Sequence, residues 1–142
     1  MDIHLTPIGF VHNSVETPRP DGWSNVESRI ELLPEYAAGL LALDGFSHVT
    51  VVCWLHLVPP ELRTAGQEPV APGRPPAGTF ATRSQRRPNP LGVAVVALVN
   101  VEGATLTVRG LDAIDGTPVL DLRPYLPPYD ALPNARMPRW VW

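Results

Sequence analysis

Residues 92–109 read GVAVVALVNVEGATLTVR and contain two β-forming runs separated by a turn. Gly92–Asn100 is a continuous apolar run, typical of a strand buried in a sheet. Thr105–Arg109 is a second strand, and the Glu102-Gly103 pair before it is a turn signal. The stretch therefore predicts a β-hairpin.

The segments outside this hairpin are also mostly β. Arg29–Leu33 alternates charged and apolar residues, which is the period-two pattern of a half-buried strand, and Ser47–His56 has apolar residues on both faces, as in a central strand. Pro34 suits the first position of a helix and Gly45 its end, so one short helix is expected between them. Further strands or extended pieces are predicted at Ile3–Phe10, Phe80–Ser84 and Val119–Leu122. Five or six strands with one short helix predict a mostly β barrel or sandwich.

The length and the proline content fit this fold class. The chain has 142 residues, which suits a single domain, and its 18 prolines and 11 glycines favour turns and extended loops over long helices. Proline and glycine are densest in residues 58–78, which we expect to form a long mobile loop. The C-terminal tail, residues 131–142, contains Trp140 and Trp142, which we expect to pack on the body or on a partner subunit.

Charge and cysteine content narrow the class of protein. The net charge of −3 gives no global positive field that would attract nucleic acid. The single cysteine, Cys53, excludes an internal disulfide framework and lies in an apolar run. The N-terminal residues lack the features of a signal peptide, and no apolar run approaches the ~18 residues that span a bilayer. We therefore expect a cytoplasmic protein without membrane association.

Two polar clusters are candidates for a functional site. Residues 82–90 hold three arginines within five positions, and paired guanidinium hydrogen bonds could bind a carboxylate or a phosphate. The alternative interpretation is a solvated arginine-rich loop. Residues 112–118 place acidic side chains at an Asp-Gly turn, a pattern more often found in a plain turn than in a site.

Metal binding is not expected. His48 and His56 lie eight residues apart on one predicted strand, about 26 Å at full extension, so they cannot share a metal. His4 and His12 have the same spacing. No cysteine or histidine cluster in the sequence has zinc-ligand spacing.

The order of several motifs resembles one known family. These motifs are Gly78-Thr79-Phe80-Ala81-Thr82-Arg83-Ser84, Arg87-Pro88-Asn89-Pro90-Leu91-Gly92, Gly110-Leu111-Asp112, Asp115-Gly116-Thr117-Pro118-Val119-Leu120-Asp121 and Pro124-Tyr125-Leu126-Pro127. Upstream, Ile8-Gly9, Pro18-Arg19, Gly45-Phe46-Ser47-His48 and His56 also match. The chain is thereby similar to the TrmO (TsaA-like, YaeB) family over roughly residues 6 to 130.

This resemblance implies a fold and an activity. The fold would be a small single-sheet β-barrel that forms one domain over residues 1–142, without the second C-terminal domain of many bacterial members. The protein would be a homodimer that binds S-adenosylmethionine. It would methylate the exocyclic amine of threonylcarbamoyladenosine next to the anticodon of tRNA.

The resemblance also implies site residues. Arg83 would bind the methionyl carboxylate or orient the substrate, Asp115 would accept from the ribose or stabilise the sulfonium, and the backbone of Gly116 and Thr117 would approach the adenine or ribose. The implied catalytic set is Arg83, Asn89 and Asp115. The implied cofactor-binding set is Pro18, Arg19, Pro20, His56, Leu57, Arg83, Asp115, Gly116, Thr117 and Pro118.

Some positions depart from the family pattern and keep two alternatives open. Pro20 and Leu57 stand where the family often has glutamine, so two hydrogen-bonding side chains are missing, and Arg86 stands where an apolar or aromatic residue is common. One alternative is an S-adenosylmethionine-dependent methyltransferase with a small-molecule acceptor, in which residues 58–78 act as a lid. The other is a cofactor-binding module without turnover.

Overall fold

The computed structural model describes residues 1–141, so the expectation for Trp142 lies outside the described residues. The chain forms two compact units. The first, called here the barrel unit, comprises residues 1–56 and 91–125, and the second, called here the loop unit, comprises residues 57–90 and the chain from Leu126 onward. The described residues contain eight strands, which are β1 (Gly9–His12), β2 (Glu27–Leu32), β3 (His48–Trp54), β4 (Gln67–Glu68), β5 (Ala77–Gly78), β6 (Leu91–Glu102), β7 (Thr105–Arg109) and β8 (Pro118–Pro124).

The barrel unit is a closed antiparallel barrel with the strand order β1-β2-β7-β6-β3-β8. Strand β8 closes the circle by pairing with β1, where Gly9 lies opposite Val119. The inward side chains form one core, and several of them are completely buried: Val11, Ile30, Val49, Val51, Leu106, Val108 and Val119. Each stabilises the fold by about 1.5–3 kcal/mol through removal of apolar surface from water. The predicted mostly β fold class is confirmed, and closure of the sheet selects the barrel over the sandwich.

The predicted hairpin and helix are present with local differences. Strand β7 has the predicted bounds, and the turn before it places Gly103 at φ +60°, a conformation that glycine adopts without strain. The predicted helix begins at Pro34 and ends at Gly45, but it consists of two 3₁₀ helices, Pro34–Leu40 and Leu43–Gly45. Ala42 separates them in a left-handed conformation at φ +70°, which ends the first helix.

Three predicted elements were wrong in detail. The first strand is Gly9–His12 instead of Ile3–Phe10, because Pro7 has no amide hydrogen to donate and Ile3 is 75% exposed. Strand β6 was expected to be buried on both faces, but alternate side chains of a barrel wall point outwards, so its outward valines are about half exposed. The expected extended piece from Phe80 to Ser84 instead begins in a 3₁₀ helix, Thr79–Ala81.

The loop unit contains short elements within and after the proline-rich segment. Strands β4 and β5 form a two-stranded sheet inside residues 58–78, and Thr79 beside it is 2% exposed. The Thr79 amide donates to the Gly66 carbonyl at 2.8 Å, and the Gly66 amide donates to the Thr79 hydroxyl at 3.1 Å. A short helix, Pro127–Asp130, and 3₁₀ helices at Pro60–Leu62 and Arg139–Val141 complete the unit. The mobility of residues 58–78 stays a prediction.

In residues 1–141, no helix has the length and apolar character needed to cross a lipid bilayer.

Candidate functional site

Three segments of the barrel unit leave the barrel at the same end. Strands β1 and β3 both run antiparallel to β8, so the residues that follow β1 and β3 lie at the end where β8 begins. Strand β1 ends at His12, β3 ends at Trp54, and β8 begins at Pro118. The expected site residues of this unit fall on these three segments: Pro18, Arg19 and Pro20 after β1, His56 after β3, and Asp115, Gly116, Thr117 and Pro118 at the start of β8.

The turn before β8 is fixed to β1 by backbone hydrogen bonds. The Gly116 amide donates to the Val11 carbonyl at 2.7 Å, and the Val11 amide donates to the Thr117 carbonyl at 2.9 Å. The Thr117 side chain is 2% exposed and donates to the Ile114 carbonyl at 2.8 Å. The backbone and side chain of Thr117 therefore stabilise the barrel, and they orient the turn so that the neighbouring Asp115 carboxylate is exposed.

Asp115 lies at the edge of an open concavity of about 510 Å³. Its carboxylate accepts from the backbone amide of Asn13 at 3.1 Å and lies 3.9 Å from His12 Nδ1. The other His12 ring nitrogen, Nε2, lies 3.3 Å from a Glu31 carboxylate oxygen. His12 is therefore held between two carboxylates, an arrangement that can accept and pass a proton. The concavity is completed by Glu27, Arg29 and Thr107.

Asn13 connects three parts of the barrel unit beneath Asp115. Its side-chain amide donates to the Ser28 hydroxyl at 2.9 Å and to the Ala113 carbonyl at 2.8 Å. Its side-chain oxygen accepts from the Val15 amide at 2.9 Å, which turns the chain after β1. From the sequence alone, His12 was a candidate only for metal binding, and Asn13 had no predicted role. The available signal was a pair of polar residues at the end of the first strand, close to a resemblance motif.

Arg19 is held within its own loop. Its guanidinium donates to the Gly22 carbonyl at 2.9 Å and stacks on Trp23, with 4.8 Å from Cζ to the ring centroid. The Trp23 indole nitrogen in turn donates to the Arg19 carbonyl at 3.0 Å. The loop that carries Pro18, Arg19 and Pro20 is thereby ordered by local contacts.

The loop unit carries the remaining expected residues, Leu57, Arg83 and Asn89, all of which are exposed. The segment around Arg83 is held by Arg87. One guanidinium nitrogen of Arg87, Nη1, donates to the carbonyls of Thr79, Thr82 and Ser84 at 3.2, 3.0 and 3.3 Å. Arg87 therefore fixes the backbone on both sides of Arg83. The sequence placed three arginines in one cluster but did not separate this structural arginine from the others.

Two further observations concern the cysteine thiol and metal-binding side chains. Cys53 is buried, and this burial together with the charge of Asp112 raises the pKa of its thiol to about 11, so the thiol stays neutral and is a poor nucleophile. Among the residues that the structure describes, no group of three or more histidine, cysteine or acidic side chains could hold a metal ion.

A sequence model described as the tRNA-methyltransferase O N-terminal domain matches residues 10–131. The chain belongs to this family. Membership confirms the recognition made from the motif order, and with it the class of chemistry, which is methyl transfer from S-adenosylmethionine.

Relatives and solved structures of the family agree with this assignment. A probable S-adenosyl-L-methionine-binding protein of Methanothermobacter thermautotrophicus is 39% identical over 136 residues, which cover 93% of this chain and 96% of the relative. A mouse tRNA (adenine(37)-N6)-methyltransferase is 34% identical over 139 residues, which cover 90% of this chain and 32% of the mouse protein. The crystal structure of TrmO from Pseudomonas aeruginosa has a TM-score of 0.78 and 32% identity, and covers 96% of this chain. The match spans 61% of that solved chain.

Proposed function

We propose that this chain is an S-adenosylmethionine-dependent methyltransferase of the TrmO family that methylates N6 of threonylcarbamoyladenosine next to the anticodon of tRNA. The observation that carries the proposal is the exposed Asp115 carboxylate beside an open concavity, in a chain that matches the family over residues 10–131. The name of the mouse relative supports the acceptor.

The expected site residues carry side chains and backbone groups that fit the chemical groups of the cofactor. Asp115 offers a carboxylate that can accept from ribose hydroxyls or stabilise a positive charge, and its orientation is fixed by the backbone amide of Asn13. Arg83 offers a planar guanidinium suited to the methionyl carboxylate. We assign cofactor binding to these two residues together with Pro18, Arg19, Pro20, His56, Leu57, Gly116, Thr117 and Pro118.

Bound S-adenosylmethionine supplies an electrophilic methyl group. The protein has to align the acceptor nitrogen with the carbon–sulfur bond, so positioning is the main contribution expected from its residues. The proton on N6 is lost when the new carbon–nitrogen bond forms. His12 and Asp115, which line the concavity together with Glu27, can accept this proton directly or through water, and Arg83 and Asn89 would orient the acceptor.

We also propose that the protein is a homodimer that acts in the cytoplasm. The outer face of β6 exposes Val93, Val95 and Val99 at 53%, 51% and 44%. In the neighbouring strand β3, Val52 lies opposite Val93 and Thr50 lies opposite Val95. A second copy could cover this uncharged wall by two-fold symmetry, since the same patch on each copy is complementary to itself.

A small-molecule acceptor is the second candidate. It is favoured by Pro20 and Leu57, which lack the hydrogen-bonding side chains that glutamine would supply, and by the acidic net charge of −3. In this case the cofactor site would be the same and tRNA would not bind.

Transfer of a labelled methyl group to tRNA tests the proposal. Purified protein is incubated with methyl-labelled S-adenosylmethionine and tRNA that carries unmethylated threonylcarbamoyladenosine, and the tRNA is then digested to nucleosides. We expect label in N6-methylated threonylcarbamoyladenosine, and much less with Asp115→Asn. If the protein binds the cofactor but leaves this nucleoside unlabelled, the tRNA acceptor is wrong.

A further inference from the structure

Charge is distributed unequally between the two units. The loop unit contains seven arginines and three acidic residues, which gives a net charge of +4. The barrel unit contains four arginines and eleven acidic residues, which gives −7 with its four histidines neutral. The overall value of −3 therefore conceals a basic unit in an acidic protein. Such asymmetry is typical of proteins that meet nucleic acid through one part of their surface.

The arginines of the barrel unit have partners within that unit. Arg29, Arg109 and Arg123 lie 3.5, 3.0 and 3.0 Å from carboxylates of Glu31, Glu27 and Asp121, respectively. Arg19 donates to a carbonyl and stacks on an indole. These guanidiniums are therefore poorly placed to bind phosphate groups.

The loop unit presents exposed arginines of a different kind. Arg86, Arg136 and Arg139 are exposed. In the described part of the chain, none of the three has a carboxylate within 4.0 Å. No acidic side chain of residues 1–141 therefore pairs with them. Guanidiniums in this state can bind phosphate oxygens by charge-assisted hydrogen bonds.

Exposed aromatic rings accompany these arginines in the loop unit. Phe80 is 76% exposed and Tyr129 is 79% exposed. In the barrel unit, by contrast, the exposed phenylalanines and tyrosines are 36–37% exposed: Phe10, Tyr36 and Phe46. Proteins that bind single-stranded RNA stack unpaired bases on such rings, and an anticodon loop consists of unpaired bases.

We infer that the loop unit is the RNA-binding surface of this protein, with phosphates bound by Arg86, Arg136 and Arg139 and unpaired bases stacked on Phe80 and Tyr129. The inference rests on the proposed tRNA acceptor and deepens it by naming the surface. The acidic barrel unit repels the RNA backbone, so the charge difference also orients the RNA. The acidic net charge is then compatible with a tRNA substrate.

Salt-dependent binding of an anticodon stem-loop tests the arginines. The RNA carries threonylcarbamoyladenosine. The dissociation constant of the protein–RNA complex is measured by fluorescence anisotropy from about 50 to about 300 mM KCl, a range over which phosphate contacts weaken strongly with salt. The double variant Arg86→Gln/Arg136→Gln is compared with Arg109→Gln/Arg123→Gln, which removes the same charge from the barrel unit. We expect the loop-unit variant to lower the slope of log K against log salt by about 1.4–1.8, since each lost phosphate contact contributes ~0.7–0.9. The barrel-unit variant should bind as tightly as the wild type, or more weakly by less than about twofold, through long-range charge alone.

Aromatic variants test the stacking independently of charge. Phe80→Leu and Tyr129→Leu should each weaken RNA binding by about 5- to 100-fold without changing the salt slope, because a stacked base contributes no counterion release. Tyr36→Leu, on the barrel unit, is the matched control and should leave RNA binding unchanged. Calorimetric affinity for S-adenosylmethionine should be unchanged in all these variants, which separates loss of RNA binding from misfolding.

The outcomes separate the surface from the acceptor. Two outcomes would overturn the surface while tRNA is still methylated and the acceptor stands. In one, the barrel-unit variant loses as much RNA affinity as the loop-unit variant; in the other, the loop-unit and aromatic variants bind RNA like the wild type. If the wild type binds S-adenosylmethionine but no RNA, the acceptor and the surface both fail. Binding to phosphatidylserine vesicles that depends on Arg86 and Arg136, without RNA binding, would instead identify a membrane surface and overturn the inference.

Discussion

Replacement of Arg87 by methionine should weaken cofactor binding without removing any group that touches the cofactor. Arg87 Nη1 carries two hydrogens and donates to three carbonyls, at 3.2, 3.0 and 3.3 Å, so one of its hydrogens is shared. Two hydrogen bonds from a charged donor correspond to about 3–6 kcal/mol when water is excluded. The segment is only partly buried, and water can replace the guanidinium. We therefore expect the free energy that stabilises the ordered segment to fall by about 1–3 kcal/mol.

This loss should appear in the affinity for S-adenosylmethionine. If the order of the segment is recovered only on binding, the dissociation constant rises by about 5- to 150-fold, since 1.4 kcal/mol corresponds to a factor of ten. Calorimetric titration measures the constant, and limited proteolysis within residues 79–90 measures the order of the segment.

Two further variants make the result specific. Arg86→Met removes the same charge from an exposed neighbour whose guanidinium does not hold the backbone of the described residues, and should leave cofactor affinity unchanged. Arg87→Lys keeps the charge and three donors on a shorter reach, and should recover part of the affinity. Equal cofactor affinity in Arg87→Met and Arg86→Met would refute the role assigned to Arg87.

Three other predictions concern the barrel unit. Asn13→Ala removes donors to Ser28 and Ala113 and should lower the free energy of unfolding by about 1–3 kcal/mol in urea titrations; a change below 0.3 kcal/mol, about the error of the method, would contradict this. The pKa of Cys53 is raised from 9.0 to about 11, so the neutral buried thiol stabilises the fold fully below pH 9, and this contribution is lost as the pH rises through 11. Over that range the wild type should lose up to about 3 kcal/mol more of its free energy of unfolding than Cys53→Ala; parallel pH profiles of the two proteins would refute this prediction. Val95→Asp places a charge on the exposed wall of β6 and should convert the proposed dimer into monomers in sedimentation equilibrium, whereas a dimer that persists would place the interface elsewhere.

The sequence alone predicted those elements whose bounds depend on neighbouring residues in the chain. Strand β7 and the turn at Gly103 follow from β-branched residues next to Glu102-Gly103, and the bounds Pro34 and Gly45 follow from the special backbones of proline and glycine. The resemblance of separate motifs added the barrel and the class of chemistry, both of which are confirmed.

Other features depend on contacts between distant residues and were missed. The first strand lies later than expected because pairing with β2 and β8 begins at Gly9, a register that Ile3–Phe10 does not encode alone. Apolar content could not show that one face of β6 is exposed. Likewise, Arg83 and Arg87 have the same side chain, and only the fold shows that Arg87 binds three backbone carbonyls.

The motif resemblance supplied the candidate site residues, whose roles stay a prediction, and the sequence did not contain their geometry. Asp115 was identified from its motif, whereas His12 and Asn13 approach it across about a hundred residues of chain. The opposite charges of the two units were likewise invisible until the fold had assigned each residue to a unit.

The most direct test of the central claim is calorimetric titration of the purified protein with S-adenosylmethionine. The account predicts saturable binding at one site per chain, weakened by Asp115→Asn and unchanged by Asp44→Asn, which alters an exposed carboxylate in the short helix before β3. Absence of binding, or equal affinities for the two aspartate variants, would contradict the account.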